Sequence, residues 1–139
     1  MDKWLNFSNV VFGYRADEPP VFTGLNISLP KGVTALVGPN GSGKTTFMLL
    51  AGGRIAPQEG SVQLFDKETS ELTDENLRNR YASFVYQNME FETEEPVGTL
   101  LEEVYEMGFF ERKNPQLISE LKEVLELEGL LGRRTQELS

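Results

Sequence analysis

Residues 36–46 read L-V-G-P-N-G-S-G-K-T-T, and four of the eleven are Gly or Pro. An apolar run, V-T-A-L-V at 33–37, leads into this stretch, and a helix-forming run, T-T-F-M-L-L-A, leads out of it. A flexible loop between two regular elements needs a reason. Glycines let consecutive backbone N–H groups turn into one concavity, and a helix N-terminus adds its own free N–H groups and the positive end of its dipole. Such a place suits a polyanion, which needs many donors in a space too small for side chains.

The residues Gly38-Pro39-Asn40-Gly41-Ser42-Gly43-Lys44-Thr45 fit the pattern G-x-x-x-x-G-K-[ST], the phosphate-binding P-loop. The pattern assigns Asn40, Gly41, Ser42, Gly43, Lys44 and Thr45 to a nucleotide's phosphates, and Thr46, the next residue, is taken as a nucleotide-binding candidate with them. Lys44 serves as a mobile point charge for the β- and γ-phosphates. The Thr45 hydroxyl is a ligand for Mg²⁺, a hard ion that keeps most of its waters.

Working outward, residues 4–12 and 21–29 read as strands. R-A-D-E-P-P at 15–20 is a loop, and Pro30-Lys31-Gly32 is a tight turn. The apolar run 33–37 is expected to be a strand buried on both faces. A helix starts near Lys44 and ends at Gly52-Gly53, and further strands are expected at 61–65 and 82–86. Thr73 is the expected N-cap of the polar segment that follows. From Pro96 onward the apolar spacing is helical, with Leu100, Leu101, Val104 and Tyr105 on one face and Leu117, Leu121, Val124 and Leu125 on another. The fold class is therefore α/β: a partial P-loop NTPase core with antiparallel N-terminal strands over 1–88, then an acidic hinge and helical subdomain over 89–139.

Composition narrows the chemistry. The 139 residues include no Cys and no His, which excludes thiolate catalysis, disulfides, Cys zinc sites and His bases. Net charge is −9 and unevenly spread. Residues 1–89 carry 8 basic against 9 acidic side chains, and residues 90–139 carry 5 against 13. The second part argues against a nucleic-acid partner, which requires a basic footprint. No stretch reads as a secretory or membrane-spanning segment, so a cytosolic chain, or one held at a membrane through partners, is expected.

G-P-N-G-S-G-K-T-T, with Tyr14 in F-G-Y-R upstream and F-V-Y-Q-N downstream, resembles the ATP-binding domain of ABC transporters, in order and over essentially the whole chain. The resemblance implies that Tyr14 stacks on adenine, a use that suits a flat π-face. It implies that Gln87 approaches Mg²⁺ and the attacking water, so that Lys44 and Gln87 are the catalytic candidates and Thr45 and Gln87 the metal ligands. The helical subdomain would touch transmembrane permease subunits, with Met89 and Phe91 as exposed apolar contacts. A second ATP-binding domain would pair head to tail. ATP and Mg²⁺ are the implied cofactors, and the implied location is cytoplasmic, peripheral at the inner face of the membrane through the partner subunits.

In the family a signature beginning L-S-G-G follows the helical subdomain, and Leu138-Ser139 match its first two residues. The Walker B Asp, the adjacent catalytic Glu and a later His fall after it, so no general base is assigned here; Glu90 and Glu92 lie near Gln87 without a motif to promote them. The 139 residues alone read as a nucleotide-binding part that is not catalytically competent. Three functions stay open: the ATPase of a transporter, a soluble ABC-type ATPase, and a non-catalytic nucleotide-binding fragment. In the family, later strands separate 33–37 from 82–86. Without them the chain is expected either to act as part of a longer protein or, when isolated, to rearrange or self-associate, with these two runs pairing directly with each other or with another copy.

Overall fold

The computed structural model describes residues 3–87, 93–107 and 114–138. Asn88, Met89, Glu90, Phe91, Glu92 and Ser139 lie outside the described residues, and with them part of the expected hinge and both expected apolar contacts. The chain divides into two compact units, 1–84 and 85–139.

The first unit is built on β1 (Lys3–Phe12), which pairs antiparallel with β2 (Phe22–Pro30) on one side and with β3 (Glu59–Leu64) on the other. A two-residue strand, β4 (Lys67–Glu68), closes a hairpin on β3 and completes the order β2-β1-β3-β4. Helix α1 (Lys44–Ala51) lies on this sheet. Phe47 stacks on Phe7, with centroids 4.5 Å apart and planes 13° from parallel. Leu50 joins Val10, Phe12 and Val62 in the same buried cluster.

The alternation of β1 breaks at Ser8-Asn9, because Phe7 pairs with Ile27 while Val10 already pairs with Leu25. One extra residue is accommodated as a bulge, with Asn9 at φ 50°. The bulge returns both Phe7 and Val10 to the core. Asn26 satisfies it: its Oδ1 accepts from the Asn9 N–H at 3.0 Å, and its Nδ2 donates to the Asn9 Oδ1 at 2.9 Å. Gly60, at φ 79°, passes so close to the Ser8 and Asn9 carbonyls that no Cβ fits there.

Helix α2 (Glu75–Tyr81) begins one residue later than expected. Its N-cap is Asp74, whose Oδ1 accepts from the Leu77 N–H at 2.8 Å, and not Thr73. A carboxylate at this position also complements the helix dipole, which a threonine hydroxyl does not.

The expected strands at 33–37 and 82–86 do not form. A strand exists only through a ladder, and among the described residues no strand pairs with either run; nor do the two pair with each other. Val33 is 104% exposed and Val37 89%, the reverse of the double burial expected of them. Thr34, Ala35 and Leu36 of one run and Ala82, Ser83 and Phe84 of the other line the same open apolar cavity of about 530 Å³, together with Met48 of α1.

The second unit holds α3 (Val97–Met107) and α4 (Leu117–Val124). The N-terminus of α3 is tied to the end of the chain: the Val97 N–H donates to the Arg133 carbonyl and the Gly98 N–H to that of Leu131, each at 2.9 Å. Arg134 pairs with Glu94, and Lys122 of α4 with Glu102 of α3 at 3.4 Å. No described residue of either helix is fully buried, and Val104, Leu121, Val124 and Leu125 are exposed.

Two outcomes follow from this architecture. Leu50→Ala should lower unfolding free energy by about 2–5 kcal/mol in denaturant titration, because the side chain is fully buried and its site cannot collapse freely. The isolated 139-residue polypeptide should self-associate or bind a hydrophobic dye through the cavity and the 33–37 run. A dye-silent monomer by light scattering would contradict that.

Candidate functional site

The loop before α1 turns on two glycines in the left-handed region, Gly41 at φ 81° and Gly43 at φ 89°. At Gly43 space is also short: a Cβ would meet Val21 Cγ1 at 2.7 Å and the Phe22 ring at 3.2 Å. Gly38 is similarly confined, since a Cβ there would sit 2.8 Å from Ser42 Oγ. The Ser42 N–H donates to the Pro39 carbonyl at 3.3 Å and closes the turn.

Gly43 is the N-cap of α1 and has no side chain to cap it, and the first turn carries no acidic residue. The first intrahelical bond runs from the Phe47 N–H to the Gly43 carbonyl, at 2.8 Å. The amides of Lys44, Thr45 and Thr46 precede it, so they are the orphan donors of this helix and face outward with the dipole. No acidic side chain of that turn competes for them. Lys44 Nζ donates to the carbonyls of Gly38 and Pro39, both at 2.7 Å. These carbonyls hold the ammonium over the loop, so its charge is aimed before a ligand arrives.

Thr45 is exposed beside Lys44, whereas Thr46 is buried, at 5% exposure. Thr46 has a partner from a distant part of the chain. Its Oγ1 lies 3.0 Å from the Tyr14 hydroxyl, across 32 residues of sequence. Tyr14 also meets Phe12 edge to face, with centroids 5.0 Å apart and planes at 89°, yet stays 60% exposed. The fold thus brings the expected base-stacking residue to the first turn of the expected phosphate-binding helix. Asn40, Gly41 and Ser42 are exposed on the loop itself. Gln87 is exposed in a turn of the second unit, while Lys44 and Thr45 belong to the first.

One contributor is invisible from local sequence. Gln58, in the P-Q-E-G turn before β3, accepts through Oε1 from the Gly13 N–H and donates through Nε2 to the Gly13 carbonyl, each at 3.1 Å. Its partner is 45 residues away, and nothing in the turn's composition signals it.

The chain belongs to the ABC transporter family, whose model matches residues 22–139. It is 43% identical over 84 residues to an uncharacterized ABC transporter ATP-binding protein, YclH, of Bacillus subtilis; the match covers 60% of this chain and 37% of that protein. It is 32% identical over 119 residues to the petrobactin import ATP-binding protein FatE of Bacillus anthracis, covering 83% of this chain and 47% of that protein. The chain thus matches less than half the length of these relatives. Its fold is that of a dimeric ATP-binding cassette solved in a post-hydrolysis state with ADP and Pi, with a TM-score of 0.75 at 22% identity over 97% of this chain and 63% of that one. Members of the family bind ATP, and complete members hydrolyse it. They generally pair with membrane permeases and dimerise.

Gly43→Ala is expected to lower nucleotide affinity about tenfold or more and to destabilise the fold by about 1–3 kcal/mol, because the new methyl meets both backbone strain and the Val21 side chain. Calorimetric titration with ATP alongside thermal unfolding measures both.

Proposed function

We propose that this chain is the ATP-binding part of a transporter ATPase that couples Mg-ATP binding and hydrolysis to solute movement through separate membrane subunits. The observation that carries the reading is the loop at α1: uncapped first-turn amides, two left-handed glycines, and Lys44 held by the Gly38 and Pro39 carbonyls. A triphosphate supplies the oxygens those donors lack.

In this reading Asn40, Gly41, Ser42 and Gly43 surround the phosphates, and Lys44 neutralises charge on the terminal two. Thr46 lies by the phosphate nearest the sugar, and Tyr14 supports the adenine. Mg²⁺ fits the donor set, since Thr45 offers an exposed hydroxyl at the loop. Among the described residues no group of three Asp or Glu gathers to hold a metal, so Thr45, phosphate oxygens, water and Gln87 are its proposed ligands. Bound Mg²⁺ supplies charge neutralisation on the phosphates. Lys44 orients the γ-phosphate, and Gln87 orients the attacking water through its neutral amide.

The proposed division of labour is an ATP-binding core over 1–88 and a helical, permease-facing part over 89–139. A second ATP-binding domain completes the assembly head to tail. The proposed location is the cytoplasmic face of the membrane, through the permease subunits that family members generally pair with; no helix among the described residues is long and apolar enough to cross a membrane.

Lys44→Ala in the intact protein should weaken ATP binding by about 10- to 100-fold, the loss of one or two charge-assisted hydrogen bonds. Thermal stability should change little, since Lys44 is only half-buried and serves the ligand. Equal affinity of folded wild type and variant in a fluorescent-nucleotide titration would overturn the assignment.

A further inference from the structure

The strand ladder leaves a problem at the end of β1. Its pairing with β2 ends at Phe12, where the Val21 N–H donates to the Phe12 carbonyl at 2.7 Å. Gly13 comes next, beyond both ladders, and is buried. A buried peptide group without partners is costly on both its donor and its acceptor. The Gln58 carboxamide meets both, accepting from the Gly13 N–H and donating to its carbonyl. The Gln58 backbone adds a third tie, its N–H donating to the Val11 carbonyl at 2.9 Å. The side chain therefore acts as one residue's worth of strand partner.

Few residues could do this. A carboxamide carries a donor and an acceptor side by side, as a peptide group does. A glutamate keeps the acceptor but sets a charged oxygen against the Gly13 carbonyl, and an asparagine falls short by one methylene. Gly13 is constrained in turn, because a Cβ there would lie 3.2 Å from the Pro20 Cα. The next residue is Tyr14. Its backbone starts from a clamped peptide, its ring edge rests on Phe12, and its hydroxyl is bonded to Thr46 in the first turn of α1.

We propose that Gln58 is a positioning residue for the nucleotide base: by clamping Gly13 it holds the Tyr14 ring in place before ligand binds. This rests on the reading of Tyr14 as the adenine platform. A platform ordered in advance spares the complex the cost of ordering it on binding. The contribution of Gln58 therefore belongs to the base and not to the phosphates, which separates it from a general role in stability.

The test uses the intact protein and two probes, ATP and inorganic tripolyphosphate, titrated by calorimetry. Gln58→Met keeps the length and removes both bonds. It should weaken ATP about two- to tenfold, the range of one lost preorganised side chain, and leave tripolyphosphate unchanged. In a Tyr14→Ala background the same substitution should have no further effect on ATP, because the two act as one unit. If Gln58→Met does not fold, Gln58→Glu is read in the same titrations. Equal loss for both probes, or no loss for ATP, overturns the inference. If Tyr14→Ala weakens ATP while neither Gln58 variant does, the inference alone falls. If Tyr14→Ala leaves ATP binding intact, the platform reading falls and this inference with it.

Discussion

Phe47 lies flat on Phe7, and one turn later Leu50 is enclosed by the same sheet. This contact seats α1 on β1, and the geometry of the loop depends on it. The Gly38–Gly43 loop has glycines where stiffness would otherwise come from side chains, so it cannot hold its own shape. It takes its orientation from the helix it caps. The helix takes its orientation from β1, a central strand paired on both sides and bulged at Asn9 so that Phe7 and Val10 both face α1. In the proposed role, a flexible loop on a rigidly packed helix reconciles two demands: the backbone must curl around an anion, yet its amides must converge on one point.

The same strand organises the other end of the site. Beyond Phe12 the chain leaves the ladder, and the Tyr14 ring is held by groups from three places: Phe12 beside it, Thr46 on α1, and Gln58 through Gly13. Each bond is ordinary in strength. Their convergence ties a loop residue to the regular elements that carry the glycine loop, so the proposed base-side and phosphate-side groups share one frame.

Among the described residues the sheet has the order β2-β1-β3-β4 and takes in neither apolar run, 33–37 or 82–86. An apolar, β-branched sequence expresses a preference for burial and extended backbone, but it cannot supply the partner whose N–H and C=O groups make a strand. Here the run 33–37 forms no regular element, and Thr34, Ala35 and Leu36 line an apolar cavity. Its composition anticipates a buried strand, and the described residues include no neighbour to make it one. The helical unit shows a milder form of the same effect, with apolar residues on its helix faces that its own two helices leave partly exposed.

The glycine loop before α1 was legible from local sequence because its geometry is local: glycines for a left-handed backbone, Lys44 and hydroxyls at fixed offsets, and an apolar helix to follow. β1, β2, α1 and the two later helices were legible for a related reason, since the spacing of their apolar residues is itself a local pattern. The Asp74 cap was missed by one residue because Thr73 and Asp74 are both good caps, and it is the Asp74 carboxylate that accepts from the Leu77 N–H. Tertiary structure alone decided the rest. It shifted the alternation at Asn9 through a bulge satisfied by Asn26, brought Tyr14 to Thr46 across 32 residues, and set Gln58 on Gly13 across 45. These are contacts between segments, each satisfied by a partner that no local window contains. Sequence spacing determines what a residue can offer, and only the folded chain determines what it meets.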